Sequence, residues 1–270
     1  MKSFQHVKLI ILSIVGVLSF SGLVHGHTFT PNEDSLFLSL MDDLKSIILS
    51  IRANGDNVTL VTGYANDASL LLNSSTMKEI HEKNQRLGTT LSSLITELRN
   101  ASMEIEEDEA IMIEDTIDEI ISARIDKSDL DNATIQSLAI SLNLNKIIEY
   151  YSKAYDTTNS KMNISEHRVT KELHSQNSSS TSNSTRSHSN NTINDIRSYY
   201  RGLNLVNLTT ERFSTEVKDN LIPKDIEFLN TAFSDLRTRL NEKSTINEIS
   251  GIIHGQIQPA LQRIFKLVLE

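Results

Sequence analysis

The chain is expected to be all-α, a multi-helix bundle of amphipathic helices interrupted by one disordered Ser/Asn-rich linker. Three observations lead there. Apolar residues recur at spacings of three and four rather than two, which lines one face of a helix and not of a strand. Two capping boxes, Thr76 to Glu79 and Thr245 to Glu248, mark helix starts, since each Thr can satisfy a free backbone N–H and each Glu can reach back. One stretch, His174 to Thr192, is almost entirely Ser, Thr and Asn and has nothing to bury against its ordering entropy.

The elements follow in order. Phe37, Leu40, Leu44, Ile47 and Ile51 form one stripe, stopped by Asn54-Gly55. Val58, Val61, Ala65, Ala68 and Leu72 form a weaker one. The helix opened at Thr76 carries Met77, Ile80, Asn84, Leu87, Leu91, Leu94 and Leu98, a heptad seam of coiled-coil spacing with one Asn in it. Asn84 there either fixes register or sits half-exposed at the edge of an intramolecular seam. A helix from Met103 to Ile125 turns Ala110, Ile113, Ile117 and Ile120 or Ile121 inward. Ser128 opens another, through Leu138, Leu142, Ile147 or Ile148, Tyr151 and Tyr155. After the linker, periodicity returns at Ile193, Ile196, Tyr199 or Tyr200, Leu203 and Val206, continuing to Phe213 and Val217. Pro223 suits the first turn of a helix carrying Ile226, Leu229, Phe233, Leu236 and Leu240. A last helix opens at Thr245, and Pro259 should kink or split it. The organisation expected is a signal peptide at 1–26, an N-terminal helical bundle at 32–156, the linker at 157–191 and a C-terminal helical region at 192–270.

The address comes from the first residues. Lys2 and Lys8 precede the apolar run Leu9 to Phe20, and Val24 and Gly26 put small residues at −3 and −1 of a cut before His27. This is a secretory signal peptide. The run is shorter than the roughly 20 residues of a membrane span, so no transmembrane segment is expected after cleavage. N-x-[S/T] tripeptides occur at Asn57, Asn73, Asn100, Asn132, Asn163, Asn177, Asn183, Asn190 and Asn207. Spread along a secreted chain, they suggest a glycoprotein, with occupancy expected first at Asn177, Asn183 and Asn190 in the linker. The localisation is therefore extracellular.

Composition removes several chemistries. With no Cys there is no disulfide scaffold, thiolate metal site or cysteine nucleophile. A formal charge of −9, made two units more negative by loss of Lys2 and Lys8, opposes nucleic-acid binding. Acids crowd between Glu104 and Glu119, but the EF-hand pattern is absent, and the default is a solvated helix face. His81-Glu82 lacks the second His of a zinc helix, and His167 and His174 flank the linker. His27 becomes the mature N-terminus, where amine plus imidazole could hold copper, but that chemistry belongs to β-sandwich enzymes. There is no G-x-S-x-G elbow, phosphate loop or dinucleotide fingerprint. No catalytic, cofactor-binding or metal residue is expected, and no cofactor.

Residues 36–126 resemble the fungal hydrophobic-surface-binding and cell-wall mannoprotein family in Asp43-Leu44-Lys45-Ser46-Ile47, the Leu87 to Leu98 helix, and Ser102-x-x-x-Glu106 through Ile121. The resemblance implies adsorption to hydrophobic surfaces or a place in a cell wall. Together these features point to a non-enzymatic secreted glycoprotein that binds lipid or another apolar surface through amphipathic helices. The alternative is an extracellular interaction glycoprotein whose glycans and acidic face meet a protein partner.

Overall fold

The structure, a computed structural model, describes residues 31–100, 107–155 and 192–268. The segments expected as signal peptide and linker, and the acids Glu104 and Glu106, lie outside these residues. Those described are 86% helical with no strand, so the all-α class holds.

Helix α1 (Glu33–Arg52) organises the molecule. Asn32 starts it with a reciprocal cap. Its Oδ1 accepts from Ser35 N–H at 2.7 Å, and its own N–H donates to the Ser35 hydroxyl at 3.1 Å. The turn through Asn54-Gly55 ends it, as its residue types dictate. The expected stripe is only part of what it buries. Phe37, Leu38, Met41, Leu44, Ile47, Ile48 and Ile51 are all buried, so apolar contact surrounds much of the helix. Each such side chain contributes about 1.5–3 kcal/mol of burial.

Helix α2 (Val58–Leu71) returns along α1 and buries Val61, Tyr64, Ala65 and Ala68. The long seam helix expected from Thr76 is two helices, α3 (Ser74–Lys83) and α4 (Gln85–Asn100). Asn84 is the break. Its backbone is extended (φ −153°, ψ 97°), and its Oδ1 accepts from Leu87 N–H at 3.1 Å, which caps α4. The start of α3 is capped by Asn73, which accepts from Ser75 and Thr76 N–H, rather than by the Thr76 box. The bend brings His81 onto Gly88, where an added Cβ would lie 2.8 Å from the imidazole Nδ1. The seam itself is intramolecular, with Ile80, Leu87, Leu91, Leu94 and Leu98 buried in the N-terminal core.

Helix α5 (Glu107–Arg124) turns Ala110, Ile113, Ile117, Ile120 and Ile121 inward, as expected. A single turn, α6 (Lys127–Leu130), precedes α7 (Ala133–Ala154), which starts on Asn132 rather than Ser128. Helix α8 (Ile196–Arg212) runs on through a π-turn at Phe213–Val217, where Phe213 meets Phe233 at 5.1 Å between ring centroids. Ile196, expected on its apolar stripe, is exposed, and Tyr199 is buried. Pro223 opens α9 (Pro223–Asn241), and the Thr245–Glu248 capping box opens α10 (Ile246–Ile252). A second π-turn at Ile253–Ile257 separates α10 from α11 (Gln258–Phe265), which carries Pro259 in its first turn, so the last helix is split as its proline requires.

Two apolar clusters result. One joins α1 to α5 with Ile135 and Ala139 of α7. The other joins the rest of α7, from Leu138 onward, to α8–α11. Helix α7 therefore belongs to both. The chain also returns to the point it left, because Asn194 and Asp195 N–H both donate to the Ala154 carbonyl, at 2.7 and 3.1 Å.

Candidate functional site

Two sets of charged residues are candidates, one buried and one exposed. The buried set lies where α1 meets α7 and α8. Adjacent residues on a helix point about 100° apart, so Asp42 and Asp43 face different neighbours. Asp42 takes a two-pronged bond from Arg212, Nε at 2.8 Å and Nη2 at 2.5 Å, and a third from Asn143 Nδ2 at 2.7 Å. Arg212 also donates to the Gln136 side-chain oxygen, and Gln136 in turn donates to the Leu130 carbonyl at 2.6 Å. Asp43, 2% exposed in its side chain, accepts from Arg201 Nε at 2.9 Å and from the Tyr150 hydroxyl at 2.8 Å, with Lys146 Nζ at 3.3 Å. The Arg201 guanidinium lies over the Tyr150 ring, 4.2 Å from its centroid.

The electrostatics follow from these contacts. Burial pushes the Asp43 carboxyl up, but Lys146, Arg201 and the Tyr150 hydroxyl together hold it below the ordinary carboxylate value. Burial and the facing carboxylate both push the Tyr150 phenol up. Burial works against the charge on Arg201 and Arg212, and Asp43 and Asp42 overcome it, so both guanidiniums hold their protons more tightly than usual. Both carboxylates are fully engaged, Asp42 by Arg212 and Asp43 by Arg201 and Lys146. The two arginines form a two-point clamp of α8 onto α1, an arrangement for holding rather than for chemistry. The sequence reading passed over Asp42, Arg201 and Arg212. The one signal available was an adjacent acid pair in mid-helix, flanked on both sides by the apolar residues Leu40, Met41 and Leu44.

The exposed set lies on α5. Part of the acidic run is neutralised by α1: Lys45 pairs with Asp118, and Arg52 pairs with Glu107 and, at 3.9 Å, with Glu114. Burial raises the Glu114 carboxyl despite Arg52 and Lys45. At the other end Arg124 holds Asp34 and Glu79, each at 2.6 Å. Among the described residues Asp108, Glu109 and Asp115 make no ion pair and face solvent. On the same outward stripe, at helical spacing with Asp108, Asp115 and Glu119, stand Ile111 and Met112, 37% and 48% exposed. Further along α5 a depression of about 650 Å³ lies between Asn84, Arg86 and Leu87 of the α3–α4 corner and Asp115, Glu119 and Ser122 of α5.

The remaining residues singled out by sequence stand apart. Asn57, Asn73, Asn100, Asn132 and Asn207 are all exposed, and the structure does not gather them into one site. Asn163, Asn177, Asn183 and Asn190 lie outside the described residues, as do His27, His167 and His174. No group of three or more His, Asp or Glu among the described residues is disposed to hold a metal ion. No helix among them is long and apolar enough to cross a membrane. Comparison with known proteins adds no relative: no family model, curated protein or solved structure matches the chain.

Proposed function

We propose that the chain is a secreted glycoprotein that binds a protein partner through the outer face of α5, and that it is not an enzyme. The observation that carries this reading is the Ile111–Met112 pair, left in solvent at the centre of an acidic stripe. Apolar anchors within a polar rim are the anatomy of a recognition surface. The acids select a partner that is basic around an apolar contact, in keeping with a net charge of −9. The experiment is co-purification of the secreted protein with its extracellular partners, for the wild type and for Met112→Ser/Asp115→Lys. Stoichiometric capture of a basic protein by the wild type only is expected. Equal capture by both would overturn the reading.

The second reading, adsorption to lipid or another apolar surface, is favoured by the stripe of α4, with Leu87, Leu91, Leu94 and Leu98 on one face and a corner at Asn84 about which α3 and α4 could part. It stands second because the stripes are packed into closed cores, and separating α8 from α1 would strand the clamp charges at a cost of several kcal/mol. Partitioning onto vesicles or hydrophobic beads with a gain of helical circular dichroism would move it to first place.

A further inference from the structure

Three of the sequon asparagines have a structural task as well as a glycosylation motif. Asn57 caps α2, its Oδ1 accepting from Leu60 N–H at 3.1 Å. Asn73 caps α3 through Ser75 and Thr76 N–H, at 2.9 and 3.1 Å. Asn132 caps α7 through Thr134 N–H at 3.0 Å. In all three the cap bonds run to Oδ1 on an exposed residue, and they make no use of the amide nitrogen, Nδ2. The hydroxyl residue of each tripeptide, Thr59, Ser75 or Thr134, falls at the second helical position.

We propose that Asn57, Asn73 and Asn132 are N-glycosylated and go on capping their helices through the glycosylated amide. The inference rests on the reading of the chain as a glycoprotein of the secretory pathway. The donor is a lipid-diphosphate-linked oligosaccharide. The bond from its first sugar carbon to the diphosphate oxygen breaks, and the bond from that carbon to Nδ2 forms. Nδ2 loses one proton, and the lipid diphosphate leaves. The product is a secondary amide that still carries both lone pairs on Oδ1, so the cap bonds survive the modification. Modification therefore leaves the helix starts intact and sets a glycan beside each of them.

The chain supplies its own controls. Asn32 and Asn84 cap helices without the tripeptide, in Asn32-Glu33-Asp34 and Asn84-Gln85-Arg86. Asn100 and Asn207 carry the tripeptide at a helix end and in a helix middle, without capping. The test is secretion of the full chain from a eukaryotic cell, then enzymatic glycan release in heavy-oxygen water and peptide mass spectrometry. Label is expected at Asn57, Asn73 and Asn132 and not at Asn32 or Asn84. Label at Asn177, Asn183 or Asn190 with the three caps blank would overturn the inference and leave the secretory reading standing. No label at any sequon would overturn both.

The capping half is tested by thermal melting. Thr59→Ala destroys the tripeptide, removing the glycan and keeping the Asn57 amide, whereas Asn57→Ala removes both. The glycosylated wild type and Thr59→Ala should melt together, with Asn57→Ala about 2–4 °C lower, the shift expected for loss of one cap in a body of this size. Equal melting of Thr59→Ala and Asn57→Ala would show that the amide oxygen does no capping.

Discussion

Helices α1 and α5 lie side by side and treat their carboxylates in opposite ways. Helix α1 buries Asp42 and Asp43 and answers each with an arginine from α8, far along the chain. Helix α5 keeps Asp108, Glu109 and Asp115 in water and lends Glu107 and Asp118 to surface pairs with α1. The difference lies in what replaces hydration. A buried carboxylate needs full hydrogen bonding and an opposite charge to offset its desolvation, whereas an exposed one needs neither. Acidic density on this chain therefore marks the surface, and an acid pair set among apolar residues in mid-helix marks the joint.

The strongest way to break that comparison is to empty one side of the clamp. Arg212→Met should lower unfolding free energy by about 3–5 kcal/mol, because Asp42 is left charged and unpaired. Asp42→Leu/Arg212→Met should recover most of the loss, and urea unfolding of the three proteins checks both. If the single variant lost under about 1 kcal/mol, the clamp would be no stronger than a surface pair.

A smaller effect appears with pH. The Asp43 carboxyl is held below its ordinary value, so the unfolded chain takes up the proton first as pH falls. The stability it contributes is present above that ordinary value, near 3.8, and is lost as pH drops through the lower folded value. Asp43→Asn should weaken the protein at neutral pH and flatten the decline below about pH 4, read as the slope of unfolding free energy against pH.

The smallest effect belongs to α5. Asp118→Asn breaks the pair with Lys45, whose carboxylate partner is more than half exposed, and should change stability by under about 1 kcal/mol. The change should vanish in high salt, whereas the Arg212→Met deficit should persist.

Local signals made much of the fold legible. Pro223 at a first turn, the Thr245 box and the disruption before Pro259 are each decided within a few residues, and each is where the sequence puts it. Asn84 was harder. The three-four spacing keeps its phase from Ile80 across the break to Leu87, so the seam looks continuous although the backbone is not. The clamp was harder still, since Asp43 and Arg201 meet across 158 positions and no local pattern announces the pairing. On the candidate surface the acids were visible, but Ile111 and Met112 read as ordinary members of an Ile-rich helix. The periodicity already turned Ala110 and Ile113 inward, and the structure adds that no other helix among the described residues covers the two residues between them.

The Ala154 carbonyl, shared by Asn194 and Asp195, has a consequence for how the polypeptide can be divided. A chain that comes back to its own departure point gains an insertion without a change of architecture. Cutting between 156 and 191 would sever the backbone while leaving α8 seated on α1 and α7, so the two pieces are built to complement each other as fragments.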